Sequence, residues 1–219
     1  MHLVTRIIAL LLLALPAFSQ QPHLSQCRSV SNSWVTALLD TINGQFCVAA
    51  KDGTPLLFSG EAQFTSYCSV FFNGDLYTNN NTLSAVKPRN ALELPYVKSW
   101  TRGGTVGYDV TINRLGARLA CTQSFTPLEE RDYGYVRIVT VLRNISTDTV
   151  QAGLQLLYDL EIGDKDLVSV TVSNQPVPDE KGWDGAAMPS DFFGSTSTSP
   201  YRVRARLEHE TLTPPDRFI

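Results

Sequence analysis

Apolar and polar residues alternate one for one along most of the chain. Val150, Ala152, Leu154, Leu156, Tyr158 and Leu160 share one side of an extended segment, and Gln151, Gly153, Gln155, Asp159 and Glu161 take the other. Tyr108, Val110 and Ile112 alternate with Asp109, Thr111 and Asn113, and Val168, Val170 and Val172 with Ser169 and Thr171. Tyr201, Val203, Ala205 and Leu207 alternate with Arg202, Arg204, Arg206 and Glu208. Successive side chains of a strand point to opposite faces, so this period predicts antiparallel strands with one face in a core and one in water. Asn43-Gly44, Asp52-Gly53 and Asn73-Gly74 supply residues that tolerate positive φ at both central turn positions, as tight hairpins require. Asn144 to Asp148 reads as a polar turn between strands starting near Tyr135 and Val150. Strand after strand with short polar turns predicts an all-β fold, an antiparallel β-sandwich or twisted double sheet. Ser33 to Ile42 is ambiguous, because Trp34, Leu38 and Ile42 at spacing four also suit a short helix.

Two regions depart from the alternation. Residues 174–200 carry Pro176, Pro178, Pro189 and Pro200 together with Gly182, Gly185 and Gly194, and a connection of that length inside one domain is usually functional or disordered. At the other end, Ile7 to Ala14 is an unbroken apolar run after Arg6, followed by Pro16 and by Ala17-Phe18-Ser19. A basic start, a short apolar stretch and small residues at the positions a signal peptidase reads predict a cleaved export signal over residues 1–19. A spanning helix needs about 20 apolar residues, more than this run supplies. Residues 20–219 then form a single β-sandwich domain, secreted, periplasmic or at the cell surface. Asp216-Arg217-Phe218-Ile219 reads as the start of a further strand, so the expectation is either a terminal strand or a chain that continues.

Export changes the reading of the cysteines. Cys27, Cys47, Cys68 and Cys121 all lie after residue 19, an even number without metal-ligand spacing. Disulfides are the expectation, with Cys27–Cys47 and Cys68–Cys121 as the favoured pairing of the three that four cysteines allow. The formal charge is −3, and loss of Arg6 without any acid makes it −4, which argues against a nucleic-acid-binding protein.

Several blocks carry a resemblance: DGTPLLF at Asp52 to Phe58, TSYCSVFFNG at Thr65 to Gly74, VRIVTVLRNIS at Val136 to Ser146, LLYDLEIGDKD at Leu156 to Asp166, WDGAAMP at Trp183 to Pro189, and LTPPDRFI at the end. In this order they resemble bacterial exported β-sandwich segments with a D-x-x-x-G-x-x-D stretch, matched here by Asp159, Gly163 and Asp166. The resemblance implies a galactose-mutarotase-like or related double-sheet fold. It supplies no established activity, so no catalytic residue is carried over from it.

The residues themselves offer three candidate sites. Asp159, Glu161, Asp164 and Asp166 gather where a strand runs out near Gly163, and clustered carboxylates with loop carbonyls suit calcium, which takes six to eight oxygen ligands. Acids at a strand end are more often solvated or paired with arginine. Arg202, Arg204 and Arg206 form a row that could grip an anionic polysaccharide through bidentate guanidinium contacts, or simply pair with acids across the sheet. Trp183, beside Asp184 in the Pro/Gly-rich stretch, offers a flat face for a sugar ring, whereas Trp100 within YVKSWT reads as core. Neither a G-x-S-x-G elbow nor an H-E-x-x-H motif is present, and after signal removal the chain retains only His23 and His209. The sequons at Asn80 and Asn144 read as turn residues. The leading expectation is an exported module that binds or builds, with polysaccharide or envelope components as partners. The alternative is a carbohydrate-active enzyme using acids between Asp159 and Asp191, a pair of opposed carboxyls being its requirement.

Overall fold

The computed structural model describes residues 26–57, 64–79, 91–162, 168–172, 174–177, 183–184, 191–196, 202–206 and 217–218. The fold is all-β, as the alternation predicts. Its largest unit is a four-stranded antiparallel meander, β7 (Lys98–Arg102), β8 (Thr105–Arg114), β9 (Ala117–Glu130) and β10 (Tyr133–Asn144), in sheet order β10-β9-β8-β7. Against its inner face lie two further sheets. One contains β1 (Cys27–Ser31), β2 (Val35–Asp40) and β3 (Phe46–Ala50) in chain order. The other has the order β11-β4-β5-β6, built from β4 (Tyr67–Phe72), β5 (Asp75–Thr78), β6 (Leu92–Glu93) and β11 (Ala152–Leu157). Phe46 joins these two through a bridge to Ser66. A separate sheet, β13-β12-β15-β16, comprises β12 (Ser169–Val172), β13 (Gln175–Val177), β15 (Asp191–Ser195) and β16 (Arg202–Arg206). Between them in sequence β14 (Trp183–Asp184) pairs with β17 (Arg217–Phe218).

The ambiguous segment resolves as strand: β2 alternates buried Val35, Ala37 and Leu39 with half-buried Thr36, Leu38 and Asp40. Of the three expected Gly turns, Asn73-Gly74 makes the two-residue hairpin, both residues at positive φ (48° and 91°) between β4 and β5. Asn43-Gly44 instead sits in a longer loop, and Gly53 turns the chain so that Thr54 to Leu57 folds back on β3. The β8–β9 hairpin is closed by Leu115-Gly116, with Leu115 itself at φ 48° and almost fully exposed. A leucine there hides the turn from a reading based on Asn, Asp and Gly. Asn144 does act as a turn residue: its Oδ1 accepts from the Ser146 amide and hydroxyl, and its amide donates to the Asp148 carbonyl. That turn carries the chain from the meander to the facing sheet, β11 pairing with β4 and not with β10.

The core lies on one side of the meander. Val106, Tyr108, Val110 and Ile112 of β8 and Leu119, Cys121, Gln123 and Phe125 of β9 are all buried, and Phe125 meets Phe46 of β3 with ring centroids 4.6 Å apart. Each large apolar side chain so buried contributes about 1.5–3 kcal/mol. Not all the filling is apolar. Gln123 donates to Thr140 Oγ1 at 3.0 Å, while among the described residues its side-chain Oε1 lacks a partner, as do both side-chain amide atoms of the buried Asn79.

None of the four cysteines is in a disulfide. The expected Cys27–Cys47 pairing is corrected by the topology. Cys27 lies opposite Asp40 and Cys47 opposite Leu38, so β2 runs between them. Two strand spacings put their backbones about 10 Å apart, beyond the reach of a bridge, which needs Cα atoms about 4.4–6.8 Å apart. Cys68 of β4 and Cys121 of β9, by contrast, come from facing sheets and meet thiol to thiol in the core.

Candidate ligand-binding face

The alternation that buries one side of the meander delivers the other side to water, and the strand registers place its residues in cross-strand rows. One row runs Arg102, Thr105, Thr126, Arg137. The next runs Trp100, Gly107, Ser124, Val139, and the next Lys98, Asp109, Thr122, Val141. Further along lie Thr111, Ala120 and Arg143, then Asn113 and Arg118. Val139 and Val141 are exposed, as is Tyr135 toward the hairpin tip.

Trp100 is the centre of this face. Its six-membered ring lies across Gly107, where an added Cβ would stand 2.6 Å from Trp100 Cζ2 and 2.6 Å from the Gln123 carbonyl oxygen. No side chain fits under the indole, so glycine is the residue that permits it to lie down on the sheet. The Arg102 guanidinium sits 5.3 Å from the ring centroid, within cation–π range. The indole Nε1 is shielded from water and has no acceptor among the described residues, whereas a buried tryptophan N–H usually finds one. A hydroxyl pair and a hydroxyl–carboxylate pair lie in the rows on either side: Thr105 and Thr126 share a hydrogen bond of 2.9 Å, and Thr122 donates to Asp109 Oδ1 at 2.7 Å.

The residues singled out from sequence are arranged differently. Trp183 and Asp184 lie on β14 in register with Phe218 and Arg217, and their side chains are outside the described residues, as are those of Arg202 and Arg206. Arg204 Nε donates to Asp191 Oδ1 at 2.9 Å, with a second nitrogen at 2.8 Å from the same oxygen, and its guanidinium lies over Phe193. That arginine is therefore paired across strands and not held out for a ligand. Asp159 is half-buried just after β11, its amide donating to Ser66 Oγ, and Glu161 follows at the Leu57–Leu160 bridge. Asp164 and Asp166, the other two acids of the calcium candidate, lie outside the described residues. Among the described residues no three His, Cys, Asp or Glu side chains come together as a metal-binding group.

Trp100 and its neighbours were missed because YVKSWT looks like core sequence. The signal was the spacing Lys98, Trp100, Arg102: in a strand these three share a face, and two cations flanking a tryptophan make that face the wet one.

Burial raises the Tyr108 hydroxyl well above the usual phenol range, and the nearby Cys68 and Cys121 sulfurs push the same way. The Cys68 thiol is raised chiefly by its hydrogen bond with Cys121 and then by burial, with the Tyr108 hydroxyl opposing. Tyr158 is raised by burial first and by Cys68 second. The Cys68 thiol and the Tyr108 and Tyr158 phenols are thus held in their uncharged forms between the sheets.

Comparison of the chain with family models, curated proteins and solved structures gives no significant match.

Proposed function

We propose that this chain is a non-catalytic, exported β-sandwich module that binds carbohydrate on the outer face of its β7–β10 sheet. The observation that carries the reading is Trp100 laid across Gly107 on an open sheet face, flanked by threonine hydroxyls. An indole presented flat supplies a large rigid apolar platform, and neighbouring hydroxyls and charges supply the directional contacts that a polyhydroxylated ring requires. An open face of this kind suits a long chain molecule, such as a cell-envelope polysaccharide, better than a small enclosed substrate. The same reading puts the protein in an oxidising compartment. There Cys68 and Cys121 would each lose a thiol proton and together pass two electrons to an exchanging disulfide, which leaves as two thiols. The resulting bridge would tie the two sheets, in the manner of inter-sheet bridges in other β-sandwiches.

A glycan-array screen of the protein and of Trp100→Ala, each with and without calcium, tests this reading. Binding by the parent that Trp100→Ala abolishes is the expected result. Glycan release with turnover, or binding untouched by the substitution, would contradict it.

A further inference from the structure

We infer that the ligand taken by this face is an acidic polysaccharide, one that carries carboxylate or sulfate groups along its length. The inference rests on the carbohydrate-binding reading above and adds charge to it. Lys98, Arg102, Arg118, Arg137 and Arg143 all project from the outer side of β7–β10 and all are exposed. The acids on that side are Asp109, which accepts from the Thr122 hydroxyl, and Glu130 at the hairpin tip, which accepts from the Tyr133 hydroxyl at 2.7 Å. Five cations against two acids is a reversal of the whole chain, where 18 lysines and arginines face 21 acids. None of the five forms an ion pair among the described residues; the ion pairs there are Arg114–Asp75 on the inner side and Arg204–Asp191, whose arginine lies near Tyr133 at the hairpin tip.

A neutral glycan gives these cations nothing to do, and segregated like charge on one sheet face is self-repelling unless an anion arrives. Placement fits a repeating anion. Arg102 and Arg137 stand at opposite ends of one row, three strand spacings or about 14 Å apart at the backbone, with the Thr105–Thr126 hydroxyl pair between them. The Trp100 row lies alongside. A polysaccharide laid across the strands would rest a ring on the indole while its acidic groups meet guanidinium forks at both margins, which bind carboxylate and sulfate bidentately. A nucleic acid is the competing polyanion. It stacks its bases on successive aromatic platforms; this face offers Trp100, with the exposed Tyr135 and Tyr133 beyond the Arg102 row at the hairpin tip, so duplex DNA stands as a competitor in the test.

The test is a titration of the full chain with polygalacturonate, with dextran as the neutral glycan and with duplex DNA, at low and at physiological salt. Polygalacturonate is expected to bind, to weaken as salt rises, and to lose about tenfold or more in affinity in Arg102→Gln/Arg137→Gln. Lys51→Gln, an exposed cation off the face, should bind as the parent does. Arg102→Lys/Arg137→Lys should recover part of the loss, which separates charge from fold, and unchanged melting temperatures verify that the variants are intact. Equal binding of dextran, with the arginine variants unaffected, would overturn the acidic assignment and leave the carbohydrate reading standing. Failure to bind either polysaccharide would remove both, and DNA binding as tight as polygalacturonate would show unselective charge and overturn the inference.

Discussion

The two faces of the β7–β10 sheet are written in the same residues of the same four strands, yet they do opposite things. On the inner face the row Tyr108, Gln123, Thr140 is closed off beneath Cys68 and its neighbours, and burial favours the neutral forms of Tyr108 and Cys68. One residue along, the row Trp100, Gly107, Ser124, Val139 runs from a half-buried indole covering Gly107 to an exposed valine, between rows that end in arginine or begin with lysine. Burial selects against charge on the first face because desolvating an unpaired ion costs several kcal/mol. Among the described residues no ion pair holds the cations of the second. The lesson of the comparison is that stability and recognition are separated here by strand parity, so each can be changed with little effect on the other.

The largest expected effect comes from breaking the inner face. Phe125→Ala removes the ring that packs on Phe46, and should cost about 3–5 kcal/mol in denaturant unfolding. Val139→Thr, on the outer face in the adjacent position along the sheet, should stay within about 0.5 kcal/mol. A comparable loss from both would show that the outer face is covered and structural.

Gly107→Ala belongs to both faces and sharpens the boundary between them. The new methyl meets the Gln123 carbonyl oxygen and Trp100 Cζ2, each at 2.6 Å, so the indole must lift. We expect a loss of about 1–3 kcal/mol, typical of overpacking, together with a shift in tryptophan fluorescence and weakened ligand binding.

Raised pH tests the neutral centre. Tyr108 and Tyr158 have folded hydroxyls raised above their unfolded values, so the folded state holds protons that the unfolded state releases. Their contribution is complete below the ordinary phenol value of about 10 and is lost as pH rises through the raised folded values. In the reduced protein the Cys68 thiol adds to this from its own ordinary value of about 8.5 upward. Melting temperatures between pH 7 and pH 11 should therefore fall on the alkaline side, and less steeply in Tyr108→Phe. A flat profile would mean that water reaches the centre.

The smallest stability effect is expected from Thr122→Val, which removes the hydroxyl donating to Asp109 on the outer face. A hydrogen bond to a half-exposed carboxylate contributes about 1 kcal/mol or less. Freeing Asp109 should also weaken binding of an acidic ligand at low salt.

Much of the fold was legible in the alternation, since period two and half-burial are one fact seen in sequence and in space. β8 and β12 lie where Tyr108 to Asn113 and Val168 to Val172 predict them. Pairing across sheets was not legible: neighbouring cysteines along the chain suggested Cys27–Cys47, but the insertion of β2 between their strands is a property of topology. Trp100 was hidden for a different reason. Whether a tryptophan faces core or water depends on strand parity, which Lys98 and Arg102 flanking Trp100 in YVKSWTR do signal; what a linear reading does not supply is Gly107 one strand away, the partner over which the indole lies.

The most direct test of the central claim labels the valine methyls and follows them by NMR during titration with polygalacturonate. Val139 and Val141 on the outer face should shift, while Val106 and Val110, buried on the inner face of the same sheet, should not. Shifts confined to Val172 and Val177 of the separate β13-β12-β15-β16 sheet, or to the inner valines, would place the ligand elsewhere and contradict the account.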